Sequence, residues 1–445
     1  MTTTPPSPAP PHPGGPVAGR PRSDSGEVTG SRPRAIGSAR RRNAGAGLGG
    51  LPLTNVVIVE GGLAIGLVLL AIDTALLVVA VAVVVAAMLV AFTRWRGRWL
   101  TQWVSLTASY LGRPHERAIQ RPDPAAQDSA EEVETVVLGA DDPRVALLRL
   151  VVPDLVVARS VDHEREPLGL AWHEGCWTAV LQVDAAPSLV VPLVGTPNLP
   201  LGALTACLED RGVVLDALEV IWHCYPGSAA LPSSAPALQS YLEVLGPLPA
   251  AARRTTWIAV RLDPRRCPAA VQERGAGVVG AHRALIGALS RVRSALAARG
   301  VQAHPLDADM LLRAGTSAAE LTAMAASGRS AALRERWTDV TAGGVGHASY
   351  AITGWPARGG PPNLNALTGV RALSATVALS ISPSGEDSDV GLRGLVRVSA
   401  RNPAELATAD ERLQSISDRL GLELTPLRGL QAAGLAGTLP LGASA

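Results

Sequence analysis

The stretch LTNVVIVEGGLAIGLVLLAIDTALLVVAVAVVVAAMLVAF, residues 53–92, is apolar apart from Thr54, Asn55, Glu60, Asp73 and Thr74. As one straight helix it would be roughly 60 Å long at about 1.5 Å per residue. The hydrocarbon core of a bilayer is only ~30 Å thick, and one crossing needs about 20 residues. The run therefore has to fold back, and Asp73 in AIDTA (71–75) is the natural break. Two spans follow, about 55–71 and 75–92, within a membrane segment covering 51–93. A cleaved secretory signal is not expected from so long a run starting some 50 residues into the sequence.

Arginines flank the outer ends of both spans, while the short connecting turn carries only Asp73. The bias of basic residues toward the cytoplasmic side places both termini and the main domain in the cytoplasm, with a plasma-membrane location. Just after the second span comes RWRGRWLTQW (94–103), which holds three of the nine tryptophans together with three arginines. Trp95, Trp99 and Trp103 recur every four residues and would share one helix face, continued by Leu106 and Tyr110. Indole rings favour the headgroup layer, and Arg94, Arg96 and Arg98 can reach anionic lipid phosphates. Residues 94–111 are thus predicted to form an amphipathic helix at the membrane interface. A docking face for another membrane subunit is a second use of the same residues. Within the first span, Gly62 and Gly66 form a GxxxG pair that permits close helix packing.

Outside the membrane segment, residues 1–50 are rich in Pro, Gly, Ser and Arg and read as a disordered tail. Residues 112–135 read as a polar linker. From 136 to 445 the sequence alternates strand-like runs (168–175, 176–183, 215–225, 255–262, 348–355, 370–382, 391–400) with helix-like stretches (199–211, 268–299, 306–327, 402–420). This pattern predicts a mixed α/β domain. A division into two lobes near residue 235 is left open, and no internal repeat is evident. Asn402 and Pro403 mark a helix start, as N-cap and first helical residue.

Several chemistries are excluded or weakened by composition. The sequence of 445 residues has no lysine. Schiff-base catalysis, the GxxxxGK phosphate loop and the kinase strand lysine are therefore absent. Net charge is only +2, which does not call for a nucleic-acid partner. Cys176, Cys207, Cys224 and Cys267 are far apart and contain no CxxC, so they read as buried small hydrophobes rather than metal ligands. His173 and Glu174 alternate faces if on a strand and make a poor chelate. DHERE (162–166) reads as a solvated turn, and AGGVGH (342–347) leads into a strand, the wrong context for a dinucleotide loop. Asp307 and Asp309 form an Asp-x-Asp pair that could hold a divalent metal against a nucleotide-sugar diphosphate. The preferred reading is that Asp307 caps the helix starting near 308. No catalytic, cofactor or metal constellation is expected.

The arrangement resembles the EccE component of the type VII (ESX) secretion system: an Arg/Pro-rich tail, a two-span hairpin, RWRGRWLTQWVSL directly after it, and an α/β domain containing WTAVLQV and GWPARGGPPNLNALTGVRALSATVALS (354–380). The resemblance implies a non-catalytic structural subunit of an inner-membrane secretion complex, beside the membrane subunits EccB, EccC and EccD, with EccC as the ATPase of the set. The contrasting expectation is a membrane-bound glycosyltransferase-like enzyme using Asp307 and Asp309.

Overall fold

The computed structural model describes residues 53–95, 98–119, 142–184, 199–225, 253–327, 331–356, 364–383 and 390–443. The predicted tail over 1–50 lies outside them, as does most of the predicted linker. The apolar run forms two helices, α1 (Leu53–Ile72) and α2 (Leu77–Phe92), each long and apolar enough to cross a membrane. Asp73 ends the first, and its Oδ1 accepts the Ala75 amide at 2.9 Å, closing the turn. The outward faces carry exposed Leu63, Ile65, Leu67, Val78, Val81 and Leu89, which a lipid environment would cover.

The helix predicted over 94–111 is shorter than expected. Arg94–Trp95 (β1) and Trp99 with Arg98 (β2, Arg98–Trp99) pair antiparallel, and the helix α3 spans only Leu100–Leu111. The Leu100 amide donates to the Thr93 carbonyl at 3.0 Å, so the ribbon folds the chain back before the helix starts. Trp95, Trp99 and Trp103 therefore do not share a helix face.

The rest is organised by a 13-stranded sheet whose described pairings are antiparallel. Its strands are β3 (Glu116–Ala118), β4 (Val156–Val161), β5 (Pro167–His173), β6 (Cys176–Val183), β9 (Ala217–Tyr225), β10 (Arg253–Leu262), β11 (Ala303–Pro305), β12 (Ala332–Glu335), β13 (Val340–Ala342), β14 (Val345–Gly354), β15 (Ser374–Pro383), β16 (Val390–Ala400) and β17 (Glu423–Pro426). Two short strands, β7 (Glu209–Asp210) and β8 (Val213–Val214), pair separately. The order across the sheet is β3-β12-β13-β14-β16-β15-β9-β10-β6-β5-β4, with β11 also on β6 and β17 also on β14. Strands β9 and β10, on either side of residue 235, are neighbours in this one sheet, so no lobe boundary falls between them.

Helices cover both faces. On one side lie α5 (Leu201–Thr205), α6 (Pro268–Glu273), α7 (Gly277–Ala297) and α10 (Pro403–Leu420); on the other lie α4 (Pro143–Val151), α8 (Ala308–Ala318) and α11 (Gln431–Ala436), with α9 (Thr322–Ser327) following α8. The period-two pattern explains the division. Leu218, Val220 and Trp222 of β9 face the first layer, while Ile221 faces the second. The predicted helix 268–299 is two helices, because Gly275, Ala276 and Gly277 all have positive φ and break the run. Gly280 then lets α7 approach α6 closely: a Cβ there would lie 2.2 Å from the Val271 carbonyl oxygen.

The pairing scheme repeats. Strands β5 and β6 are joined by Glu174–Gly175, and β13 and β14 by Gly343–Gly344, all four with positive φ as a tight hairpin turn requires. In each half the second hairpin (β9–β10, then β15–β16) adds its second strand to β6 or β14. A helix then packs on that trio (α7, then α10), and a short strand (β11, then β17) closes beside β6 or β14. Strands β9 and β15 meet antiparallel around Ile221↔Ala378, so the halves are related by an approximate two-fold axis there. The sequence shows no repeat because the correspondence lies in backbone pairing, which many apolar side-chain sets satisfy equally well.

Candidate functional site: the hairpin and its junction with the sheet

Inside the hairpin, Gly62 and Gly66 of α1 face α2. A Cβ at Gly62 would come 2.3 Å from Ala87 Cβ, and one at Gly66 would come 2.9 Å from Val84 Cγ2. Small residues thus let the two backbones approach, as packing without a hydrophobic driving force demands. The open end is tied by side chains. Asn55 Nδ2 donates to the Ala91 carbonyl at 2.7 Å, and Thr101 Oγ1 donates to Asn55 Oδ1 at 2.6 Å. Both polar residues are buried. A carbonyl at the end of α2 is thereby satisfied, and α1, α2 and α3 are joined in one cluster.

Helix α3 then meets the sheet domain. The Trp103 ring lies 6.2 Å from that of Trp337, and Tyr110 packs edge-on at 5.1 Å against Trp337 and at 4.1 Å against His115. After α3, Arg113 Nη2 donates to both carboxylate oxygens of Glu335 at 3.0 Å, and also to the Gly429 carbonyl. Glu335 is buried and additionally accepts the Ala432 amide at 3.0 Å. Next, β3 adds itself to β12 with the register Ala332↔Ala118, and Arg334 Nε donates to Glu116 Oε1 at 2.6 Å. The first part of the predicted linker is therefore an edge strand of the sheet.

Of the predicted interface residues, Trp99 caps α3 and is half-buried, and Trp103 touches the domain. The backbones of Arg94, Trp95 and Arg98 lie in the ribbon, and Arg96 falls outside the described residues.

The Asp-x-Asp pair does not form one site. Asp307 Oδ1 accepts the Met310 amide at 2.6 Å as the N-cap of α8, whereas Asp309 is mostly exposed and pairs with Arg144 at 2.7 Å. His173 Nε2 lies 3.7 Å from Glu174 Oε1 at the hairpin turn. In DHERE, oxygens of Asp162, Glu164 and Glu166 come within 4.8 Å of one another. Asp162 Oδ1 is taken up by the Glu164 and Glu166 amides, and Arg293 pairs with Asp162 and Glu164, so part of the cluster's charge is offset within the fold.

Sequence reading missed a buried polar network on the α8–α11 face. Arg397 is fully buried; it donates to Thr438 Oγ1 (2.8 Å), Thr376 Oγ1 (3.0 Å), Ser399 Oγ (3.2 Å) and the Ala318 carbonyl (2.5 Å), and Nη1 lies 3.1 Å from His347 Nδ1. His223 Nδ1 is 2.8 Å from Thr376 Oγ1, and Tyr225 donates to the Ser317 carbonyl. Burial pulls Arg397 down to about 10 and His223 down to about 3, with the Arg397 charge adding to the latter. Burial also holds His347 well below its ordinary value and His282 down to about 4, and it raises the Glu320 carboxyl. At the other end of β9, burial pushes Glu219 up to about 8, against the pull of Arg261 and Arg393. The network is well suited to fixing the packing of α8, α11 and the last residues on the sheet.

A pH dependence follows. The imidazoles have folded values below the ordinary 6.5, so the unfolded chain takes up protons that the folded one refuses. Stability falls as pH drops below about 6.5. Glu219 has the opposite sign: its folded value is raised above 4.5, so stability falls as pH rises from there toward about 8. Three imidazoles outweigh the two raised carboxyls, Glu219 and Glu320, over most of the range from 4.5 to 6.5. Melting temperature is expected to peak near pH 6.5, and Glu219→Gln to flatten the alkaline limb. Scanning fluorimetry of the two proteins across pH 4 to 9 checks both limbs.

An apolar hairpin, with two helices long and apolar enough to cross a membrane, is clamped to a mixed α/β domain built on one large sheet. Residues 250–352 match the family described as "Putative type VII ESX secretion system translocon, EccE". Curated relatives agree. ESX-1 secretion system protein EccE1 of Mycobacterium tuberculosis (strains CDC 1551 / Oshkosh and ATCC 25618 / H37Rv) is 29% identical over 224 residues, covering 48% of this chain and 40% of the relative. EccE1 of Mycolicibacterium smegmatis is 41% identical over 64 residues, 14% of each chain. By sequence the chain carries an EccE-family match and is related to proteins named as components of the ESX-1 secretion system, and the match spans less than half the length of these relatives. Among solved structures, alkyldihydroxyacetonephosphate synthase aligns with 60% of this chain and 43% of its own at 10% identity and a TM-score of 0.21, which carries no argument.

Proposed function

We propose that this chain is a non-catalytic structural subunit of a type VII secretion membrane complex. Its hairpin crosses the plasma membrane twice from the cytoplasmic side, and the sheet domain sits on the cytoplasmic face. The observation that carries this reading is the continuous tether. A hairpin with an exposed apolar surface is joined through Asn55, Thr101, Trp103 and Arg113 to a folded domain, without a free linker between them. The arginines at the outer ends of both helices support the cytoplasmic orientation. Trp99, with Arg94, Trp95, Arg96 and Arg98, would hold the junction at headgroup depth. Kinship with EccE1 supports placement beside EccB, EccC and EccD, within a lipid bilayer and without nucleic acid.

Gentle solubilisation followed by affinity purification on this chain tests the reading. A co-purifying multi-span subunit and an ATPase are the expected result. Recovery of the chain alone, turning over a nucleotide-sugar, would reverse it.

A further inference from the structure

Helix α10 presents Arg412, Ser415, Ile416 and Arg419 to the rim of an open groove of about 360 Å³, whose opposite wall is Gly369, Val370 and Arg371. The helix buries Ala409, Leu413 and Ser417 against the sheet, so the groove lies on its outer side. Most arginines that line the folded domain have a carboxylate or carbonyl partner: Arg144 with Asp142 and Asp309, Arg266 with Asp216, Arg291 with Asp210, Arg293 with Glu164. Among the described residues, Arg371, Arg412 and Arg419 have no ion-pair partner. Arg419 gains some compensation from the C-terminal end of α10, whose partial negative charge favours a cation in the last turn. Arg412 and Arg371 have no such compensation. Three like charges around one groove repel each other until an anion enters.

The spacing selects the anion. Arg412 and Arg419 are about 10 Å apart along the helix axis at 1.5 Å per residue, with Ile416 between them on the same face. A single phosphate cannot extend across that distance. Carboxylates on one face of an extended segment can, because residues four apart on that face are separated by about 13 Å, with the residue two along between them. The floor is apolar, made by buried Val370 and half-buried Ile416. A segment with an apolar residue between acidic ones would match it in both charge and polarity. Guanidinium groups favour carboxylates because two N–H donors meet two oxygens in one plane.

We propose that the groove between α10 and Arg371 is a docking site for an acidic, partly apolar peptide segment of a partner protein. The proposal gives the structural-subunit reading a contact surface and rests on it only for its biological sense, since the groove's binding is measurable without the complex.

The test uses the full chain in detergent micelles and a fluorescein-labelled octapeptide, Glu-Ser-Leu-Ser-Glu-Ser-Leu-Ser, which places Glu and Leu in turn on one face of an extended segment, read by fluorescence anisotropy. Binding is expected, weakening at least tenfold in Arg412→Glu/Arg419→Glu and several-fold in Arg371→Ala; melting temperature is unchanged in Arg371→Ala and only slightly lowered in the double variant, where an exposed carboxylate meets the negative end of α10. The same peptide with Lys for Glu should not bind. Equal affinity of the charge-reversed protein and the wild type would overturn the proposal. So would full displacement of the peptide by equimolar inorganic phosphate, or preferential binding of these arginines to phosphatidylglycerol vesicles, since either would assign the groove to phosphate chemistry. Co-purification of other subunits with the charge-reversed chain tests the scaffold separately: loss of peptide binding with retained membrane partners would still support the groove.

Discussion

Arg397→Leu is expected to destabilise the sheet domain by about 3–5 kcal/mol, a large part of the 5–15 kcal/mol typical of a folded domain. The side chain is fully buried and fastens four separate parts of the chain: the end of α8 through the Ala318 carbonyl, β15 through Thr376, its own strand through Ser399, and the C-terminal segment through Thr438. Leucine removes the charge and also strands these acceptors in a region closed to water. An unmade buried hydrogen bond costs about 1–3 kcal/mol each. Glu320, whose carboxyl the Arg397 charge favours in its ionised form, is left with less reason to be there. Arg397→Lys should be intermediate, because an ammonium group cannot reproduce the fork that meets Thr438, Thr376 and Ala318 at once. Chemical denaturation of the detergent-solubilised full chain, followed by tryptophan fluorescence, measures both.

Glu335→Leu is expected to cost about 3 kcal/mol and to loosen the apolar hairpin from the sheet. The carboxylate holds Arg113 from the hairpin side and the Ala432 amide at the start of α11, so its loss opens the junction on two sides. With Arg113 no longer held, β3 depends on its short pairing with β12, on the exposed Arg334–Glu116 pair and on the Arg117 hydrogen bond to the Leu150 carbonyl. Exposed pairs contribute about 0–1 kcal/mol. Trypsin cleavage after Arg113 or Arg117 should then speed up well before the domain melts. Equal cleavage rates in the wild type and the variant would show that the Glu335 carboxylate is not needed to hold the junction, the aromatic contacts and the β3 ties being enough without it.

Much of the organisation was legible because it depends on local signals. Asp73 inside an apolar run marked the turn, and Asn402–Pro403 marked the start of α10, where Asn402 indeed accepts the Glu405 amide at 2.8 Å. Long strands such as β9 and β15 stood out by their apolar length. The strands of three or four residues did not, since β11, β12, β13 and β17 are too short to show a period. Non-local features were invisible for a different reason. Arg113 and Glu335 are 222 residues apart. Arg397 draws its partners from β14, β15, α8 and the C-terminal segment, so no spacing in the sequence connects them. The Arg/Trp stretch was misjudged in form: its alternation of large and basic residues suits a helix face and a two-stranded ribbon alike, and the Thr93–Leu100 hydrogen bond selects the ribbon.

The tether enters at one margin of the sheet, through β3 and β12, while β4 closes the opposite margin. Eleven strands laid side by side at about 4.8 Å each place those margins roughly 50 Å apart along the ribbon. A body fastened at a single end behaves as a cantilever: a small tilt at its root sweeps the free tip over a wide arc. The half of the molecule built on β5, β6 and α7 is thus carried sideways from the hairpin, away from the margin at which the chain enters the sheet.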